Sequence, residues 1–282
     1  MKIIRTVKEM QAYSESLRNG GKKISFVPTM GFLHEGHLSL MRAGKERADI
    51  LVVSIFVNPI QFGPGEDYED YPRNFERDQE RVASSGGDCI YAPVVSEMYP
   101  EGYQTSVLVE KVTKNLCGIT RPTHFNGVTT VVAKLFNAVK PHLAIFGEKD
   151  FQQLVVINRM VFDLNMDLEV IGMPIVREKD GLAMSSRNKY LTPDERKEAL
   201  GLSQSLFEVK KMFEAGERNA AVLIDFVREK ISSGRSGKID YIKICDVVNI
   251  EDCSVIENDS VMALAVCFNN ARLIDNIVLS TG

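Results

Sequence analysis

The chain of 282 residues lacks any apolar run near the roughly 18–20 residues needed to cross a bilayer; a stretch such as Ala48 to Val57 is far shorter. Its opening, MKIIRTVKEMQAYSESL, carries charge where a secretory signal needs an apolar core. A cytoplasmic protein with no membrane partner is therefore the expectation. Cysteine is sparse: Cys89, Cys117, Cys245, Cys253 and Cys267 are an odd number without C-x-x-C spacing, which argues against a disulfide framework or a zinc site and for buried thiols. Positive charge is not in excess either, because 34 Lys and Arg against 38 Asp and Glu leave a net charge of -4. Nucleic-acid binding, which usually shows as a basic stripe, is not expected. Internal repeats and low-complexity stretches are also missing. What is present is a globular composition, 44% hydrophobic and 26% charged, long enough for one large domain or a large and a small one.

Short β-branched runs alternate with helical segments over the first two thirds. Strands are expected at Lys23 to Pro28, Ile50 to Val57, Cys89 to Ala92, Leu143 to Phe146 and Leu168 to Gly172. Helical spacing is found at His37 to Ala48, Asn74 to Ser84, Asn126 to Val139 and Phe151 to Leu164. This pattern predicts a Rossmann-like, doubly wound parallel α/β sheet over residues 1–175. A polar stretch, REKDGLAMSSRNKYLT, then marks a boundary near Ile175. Thr192, Pro193 and Glu195 form a capping box that starts a helix to about Ala215, and a second helix begins near Asn219. Ile239 to Asp246, Val261 to Phe268 and Arg272 to Leu279 read as a small antiparallel sheet, the last two joined by a tight Asn269-Asn270 turn. Residues 176–282 are thus expected to form a smaller α+β domain, a lid over the first.

Chemistry-bearing residues follow the strands, at the carboxyl edge where open α/β folds bind ligands. PTMGFLHEGH runs from strand to helix start, a place favourable to phosphate. His34 and His37 share one side of the first turn, and Gly36 leaves the backbone approachable. Taken alone, the pair also fits a capped turn with exposed histidines. Gly147, Lys149 and Asp150 after the fourth strand offer close backbone approach, a mobile cation and an acceptor for ribose hydroxyls. Gln61 and Gln153 carry amides able to hold a small hydroxy acid. Ser185, Ser186 and Arg187 suit the charge on departing pyrophosphate, with Met184 packing beside a base. Arg121 and His124 sit in a Pro-containing loop before a helix. His142, between Pro141 and a strand, reads as structural.

The H-x-G-H element resembles that of the nucleotidyltransferase superfamily, and the longer strings resemble its pantothenate synthetase family. FVNPIQF, YPRN, RPTHFNGVTTVVAKLFN, FGEKDFQQ and DGLAMSSRN follow PTMGFLHEGH in order. The resemblance implies an ATP-dependent ligase that joins pantoate to β-alanine through a pantoyl adenylate, releasing pyrophosphate and AMP. It implies ATP contacts from Met30, Gly31, Phe32, Leu33, His34, Glu35, Gly36, His37, Gly147, Glu148, Lys149, Asp150, Val176, Met184, Ser185, Ser186 and Arg187. Of these, His34, His37, Lys149, Ser185, Ser186 and Arg187 carry catalysis. Gln61, Gln153, Asn58, Tyr71, Arg121 and His124 are assigned to pantoate and β-alanine. Tyr71 and Asp78 match family positions near the substrate or the metal-bound phosphates. The resemblance further implies magnesium held chiefly by the ATP phosphates, with no dedicated protein metal site, and a homodimer. The 180s segment resembles a flexible K-M-S-K-S-like lid, with arginine and serine replacing the lysine pair. Other nucleotidyl transferases share the H-x-G-H but pass the nucleotide to a phosphorylated acceptor, against which FVNPIQF and FGEKDFQQ argue. A non-catalytic nucleotide sensor would not need both histidines, Lys149 and the serine-arginine loop. The base that deprotonates the β-alanine amine stays open among water, a substrate phosphate oxygen and His37.

Overall fold

The computed structural model describes residues 1–269 and 271–282, so the expected Asn269-Asn270 turn falls partly outside the described residues. The chain forms two compact units. The first comprises Met1–Glu110, Arg121–Glu148 and Val156–Pro174; the second comprises Lys111–Thr120, Lys149–Val155 and Ile175–Gly282.

In chain order the elements begin with β1 (Lys2–Ile4), α1 (Val7–Asn19), β2 (Ile24–Thr29), α2 (Glu35–Arg47) and β3 (Ile50–Ile55). They continue with α3 (Phe75–Ser84), β4 (Cys89–Tyr91), α4 (Val95–Met98), α5 (Cys117–Thr120) and α6 (His124–Val139). Then come β5 (Leu143–Gly147), α7 (Phe151–Asp163) and β6 (Glu169–Met173). The sheet of the first unit runs β1-β4-β3-β2-β5-β6, parallel at every pairing. Its side chains alternate between faces. Phe26 packs edge-on against Phe136 of α6 at 6.3 Å. On the opposite face Val27, Leu51, Val53 and Ile145 bury against Leu40 and Met41 of α2. The sheet is therefore doubly wound, as expected. From β2 the chain progresses one way through β3 to β4, while β5 and β6 lie on the other side, so the connections diverge between β2 and β5. The crevice outside the carboxyl ends of these two strands is the topological switch point.

The second unit contains α8 (Pro193–Glu214), α9 (Ala220–Ser232) and the antiparallel strands β7 (Lys238–Asp246), β8 (Ser260–Phe268) and β9 (Ala271–Leu279), in spatial order β7-β8-β9. The capping box at the start of α8 forms as read: Glu195 N–H donates to Thr192 Oγ1 at 3.3 Å, and Thr192 N–H donates to Glu195 Oε2 at 2.8 Å. Leu202, Leu206 and Val209 of α8 and Leu223 and Val227 of α9 bury against Met262, Leu264 and Val266 of β8. No helix among the described residues is long and apolar enough to cross a membrane.

The expected strands and helices occur within one to two residues of their read limits. In the first unit β1, α1 and the single turn α4 were not picked out. Strand β1 has three residues, too few for periodicity to show, and is held by its register with Cys89, Ile90 and Tyr91. Helix α1 buries few side chains, Met10 and Ser14 among them.

Candidate active site

The loop from β2 to α2 is fixed from beneath by α3. Thr29 Oγ1 donates to Ser54 O at 2.7 Å and accepts from Gly31 N–H at 3.2 Å. Gly31 has φ +84°, and a Cβ there would lie 2.9 Å from Asp78 Oδ2 and 3.1 Å from the Ile55 side chain. Both facts require glycine. The Asp78 carboxylate, 1% exposed, accepts Phe32 N–H at 2.7 Å and Leu33 N–H at 2.8 Å. One turn on, Arg81 donates to Leu33 O at 2.9 Å. Its two oxygens thus hold the loop that leads into the histidines.

His34 is the N-cap of α2, with extended backbone. Its N–H donates to His37 Nδ1 at 3.2 Å, and the two rings lie 4.0 Å apart. A ring nitrogen that accepts carries no proton, so neutral His37 is assigned as the Nε2–H tautomer. The helix start thereby combines a donor N–H with the positive end of the dipole. Glu35 is turned to an exposed ion pair with Arg42, one that counts for little in stability.

A second group is built around the turn after β3. Asn58, 1% exposed, accepts from Tyr99 O–H at 2.7 Å through Oδ1. Its Nδ2 donates to Gln61 Oε1 and to Gly127 O, each at 3.0 Å. Gln61 Nε2 in turn lies 3.1 Å from Met30 Sδ. Both amide hydrogens of Asn58 are thus spent within the protein. Gly127 permits this arrangement, because a Cβ on it would sit 2.5 Å from Gln61 Cα and from Ile60 O. His124 Nδ1 lies 3.0 Å from Gln61 O, and Arg121 Nη2 3.5 Å from the same oxygen. Arg121 also makes a two-pronged pair with Glu66, both contacts 2.6 Å. Burial pushes the Glu66 carboxyl up, but the Arg121 bonds and charge outweigh it and hold the carboxyl below its usual range. Arg121 and His124 therefore meet at the Gln61 main-chain oxygen. Tyr71 is buried with its ring edge-on to Phe62 at 6.0 Å.

In the second unit Lys149 is half-buried. Burial pulls its ammonium pKa down, Asp150 and Asp275 push it up, and Arg187 lowers it again, so these four charges form one neighbourhood. Asn276 Nδ2 donates to Lys149 O at 2.9 Å and fixes the backbone there. The polar stretch after Ile175 opens with a hairpin. Met184 N–H donates to Val176 O at 3.0 Å and Glu178 N–H to Leu182 O at 2.8 Å, with Gly181 at φ +98° in the turn. Arg177 anchors it through two bonds to buried Asp275, 2.6 and 2.9 Å. Arg196 of α8 holds its tip through Glu178 at 2.7 Å and Asp180 at 2.6 Å. Ser185 then caps the short turn Ser186–Tyr190, accepting from Arg187 N–H at 3.2 Å.

Gln153 is half-buried on α7. Its neighbour Gln152 was not singled out, yet it is the one committed to structure. Gln152 accepts Cys117 N–H at 3.0 Å and donates to Val112 O at 3.0 Å and Asn115 O at 2.7 Å. Tyr99 was also missed, and nothing in its local sequence marks it.

Known proteins match the chain over nearly its whole length. The family model described as pantoate-beta-alanine ligase matches residues 2–278. The chain is 59% identical to the pantothenate synthetase of Syntrophus aciditrophicus, over 99% of this chain and 97% of that protein. It is 57% identical to that of Geobacter sulfurreducens over 99% of each. Among solved structures, the pantothenate synthetase of Thermus thermophilus superposes with a TM-score of 0.92 at 44% identity, covering 98% of this chain and 99% of that one. The pantoate-beta-alanine ligase of Francisella tularensis, complexed with beta-gamma ATP and beta-alanine, does so with 0.81 at 32% identity, covering 100% and 99%. The chain thus belongs to the pantoate–β-alanine ligase family, the pantothenate synthetases.

Proposed function

We infer how this chain's residues divide the work of its family's reaction, the ATP-dependent joining of pantoate to β-alanine to give pantothenate. The reading is carried by the helix start at His34 and His37, braced by Asp78 beside the switch point of a parallel sheet. In the first step a pantoate carboxylate oxygen attacks the α-phosphorus of ATP in line. The O–P bond forms as the bond to pyrophosphate breaks, and no side chain is modified. The first-unit loop, Met30 to His37, takes the ATP phosphates, with His37 Nε2–H as donor. Gln61, oriented by Asn58, and the Arg121–His124 corner hold the acid, and Gln153 adds a second amide. Lys149, Ser185, Ser186 and Arg187 of the second unit meet the charge that builds on pyrophosphate, while Gly147 and Glu148 of the first unit and Asp150, Val176 and Met184 of the second border the nucleoside.

In the second step the β-alanine amine attacks the acyl carbon and AMP leaves with the electron pair of the cleaved C–O bond. With Nδ1 engaged by the main chain, neutral His37 offers Nε2–H, a donor and not a base. That argues for water or a substrate phosphate oxygen as the proton acceptor. Among the described residues no group of three His, Cys, Asp or Glu is placed to hold a metal ion. Magnesium enters this reading as part of the ATP substrate, on the phosphates. A homodimer, a cytoplasmic location and a functional division near residue 175 belong to the same reading.

Product analysis tests it. Purified protein with ATP, magnesium and pantoate should release AMP in step with pantothenate only when β-alanine is added. His37→Ala should lose a factor of roughly a hundred to a thousand in kcat, the cost of removing one transition-state donor. Transfer of AMP to another acceptor, or an undiminished His37→Ala, overturns it.

A further inference from the structure

We propose that Tyr99 is a positioning residue for the acid substrate, acting through Asn58 to set which end of the Gln61 side-chain amide faces the ligand. The proposal rests on the assignment of Gln61 to pantoate made above.

A glutamine amide can turn over at little cost unless its two ends meet different partners. In this site the chain of hydrogen bonds has one direction. Gly127 O is a main-chain carbonyl and can only accept, so the Asn58 atom 3.0 Å from it is Nδ2. Asn58 Oδ1 then faces Tyr99, whose hydroxyl donates to it at 2.7 Å and holds the amide in that sense. The second hydrogen of Nδ2 goes to Gln61, at 3.0 Å, and makes the contacted atom Oε1. With Oε1 occupied, Gln61 is left with Nε2, which rests 3.1 Å from Met30 Sδ. A thioether is a weak acceptor, so a carboxylate or hydroxyl oxygen of the substrate displaces it with gain. The site therefore selects for an acceptor atom opposite Gln61.

Tyr99 is itself held. Its ring stands 6.3 Å from Phe56 and 5.1 Å from Tyr103, edge-on to the latter, and the Lys134 ammonium lies 5.7 Å from its centre. A ring packed on several sides fixes the hydroxyl, and Gly127 brings α6 close enough for its carbonyl to complete the Asn58 set. Tyr99 need touch no substrate to do this.

The test is a double-mutant cycle on steady-state kinetics. Tyr99→Phe should raise the KM for pantoate by about tenfold, the effect of leaving a buried acceptor unpaired, with the KM for ATP unchanged. In a Gln61→Ala background, which should itself raise the pantoate KM, Tyr99→Phe should add no further change. Asn58→Asp keeps the acceptor for Tyr99 but draws Gln61 Nε2 inward, so it should harm pantoate binding more than Tyr99→Phe does. Full additivity of Tyr99→Phe and Gln61→Ala, or a tolerated Asn58→Asp, overturns the relay and leaves the pantoate assignment standing. If Gln61→Ala leaves the pantoate KM unchanged, the assignment falls, and the relay with it. A merely structural loss would move the ATP and pantoate constants together and also overturns it.

Discussion

Replacing Asp78 by Asn tests whether α3 sets the histidine loop. In the protein as it stands, one buried carboxylate accepts two backbone N–H groups, at 2.7 and 2.8 Å, from consecutive residues. Bonds to a charged acceptor contribute about 1.5–3 kcal/mol each. Asn keeps one neutral oxygen for one N–H and turns an NH₂ toward the other, so one bond weakens and the second becomes a donor facing a donor. The combined loss is about 3 kcal/mol. That cost must surface somewhere. If the loop detaches locally, only a small fraction of molecules hold His34 and His37 correctly, and kcat/KM for ATP falls by up to about a hundredfold, at about 1.4 kcal/mol per tenfold. If the loop stays attached, the cost appears in global unfolding as a lowered Tm, roughly 2–4 °C for each kcal/mol. Denaturant unfolding and ATP kinetics on the same preparation measure the two shares. Activity within twofold of the parent together with an unchanged unfolding free energy would refute the clamp.

Other consequences follow from single contacts. His142 Nδ1 accepts Ile24 N–H at 3.0 Å, and burial first, then Arg18 and Lys23, lower the imidazole pKa against a weaker pull from Asp167. The folded form therefore binds its proton less readily than the unfolded form, so stability is full above about 6.5, the unfolded value, and declines as pH falls below it toward the lower folded value. Urea titrations at stepped pH should show that decline, and it should shrink in His142→Asn. Gly127→Ala places a methyl 2.5 Å from the backbone at Gln61, so both Tm and pantoate binding should drop. Gly201, within α8, has open space where a Cβ would stand, with no atom within 4 Å, and Gly201→Ala should stabilise by about 1 kcal/mol in calorimetry with unchanged turnover. Asp275→Ala strands the Arg177 guanidinium, whose two bonds measure 2.6 and 2.9 Å, and should cost about 3 kcal/mol of stability in denaturant unfolding.

Periodicity and caps were enough to read most of the architecture. The five expected parallel strands, the capping box of α8 and the three C-terminal strands all appear, because each is written in local sequence that burial then reinforces. Strand β1 escaped for want of length. The candidate site was legible where chemistry follows a strand directly, as at His34, His37, Gln61 and Lys149. What supports those residues was not. Asp78 reaches its loop across 46 positions, Tyr99 reaches Asn58 across 41, and Asn276 reaches the Lys149 carbonyl across 127. Such bonds have no periodicity and no spacing rule, since only the folded sheet brings their ends together. The hairpin at 176–184 was hidden for a related reason: its polar composition matches a linker, and its order comes from Arg177 and Arg196, whose acidic partners follow from the fold.

The parallel sheet also separates two kinds of tolerance to change. Every strand of the first unit delivers its following loop to the same edge, which holds the histidines and the Gln61 turn, whereas His142 and Ile24 lock the opposite edge. Changes at the His142 end therefore act on stability at the edge remote from the histidines, whereas the turn at Gln61 cannot be recut without regard to Gly127, whose missing side chain makes room for its backbone.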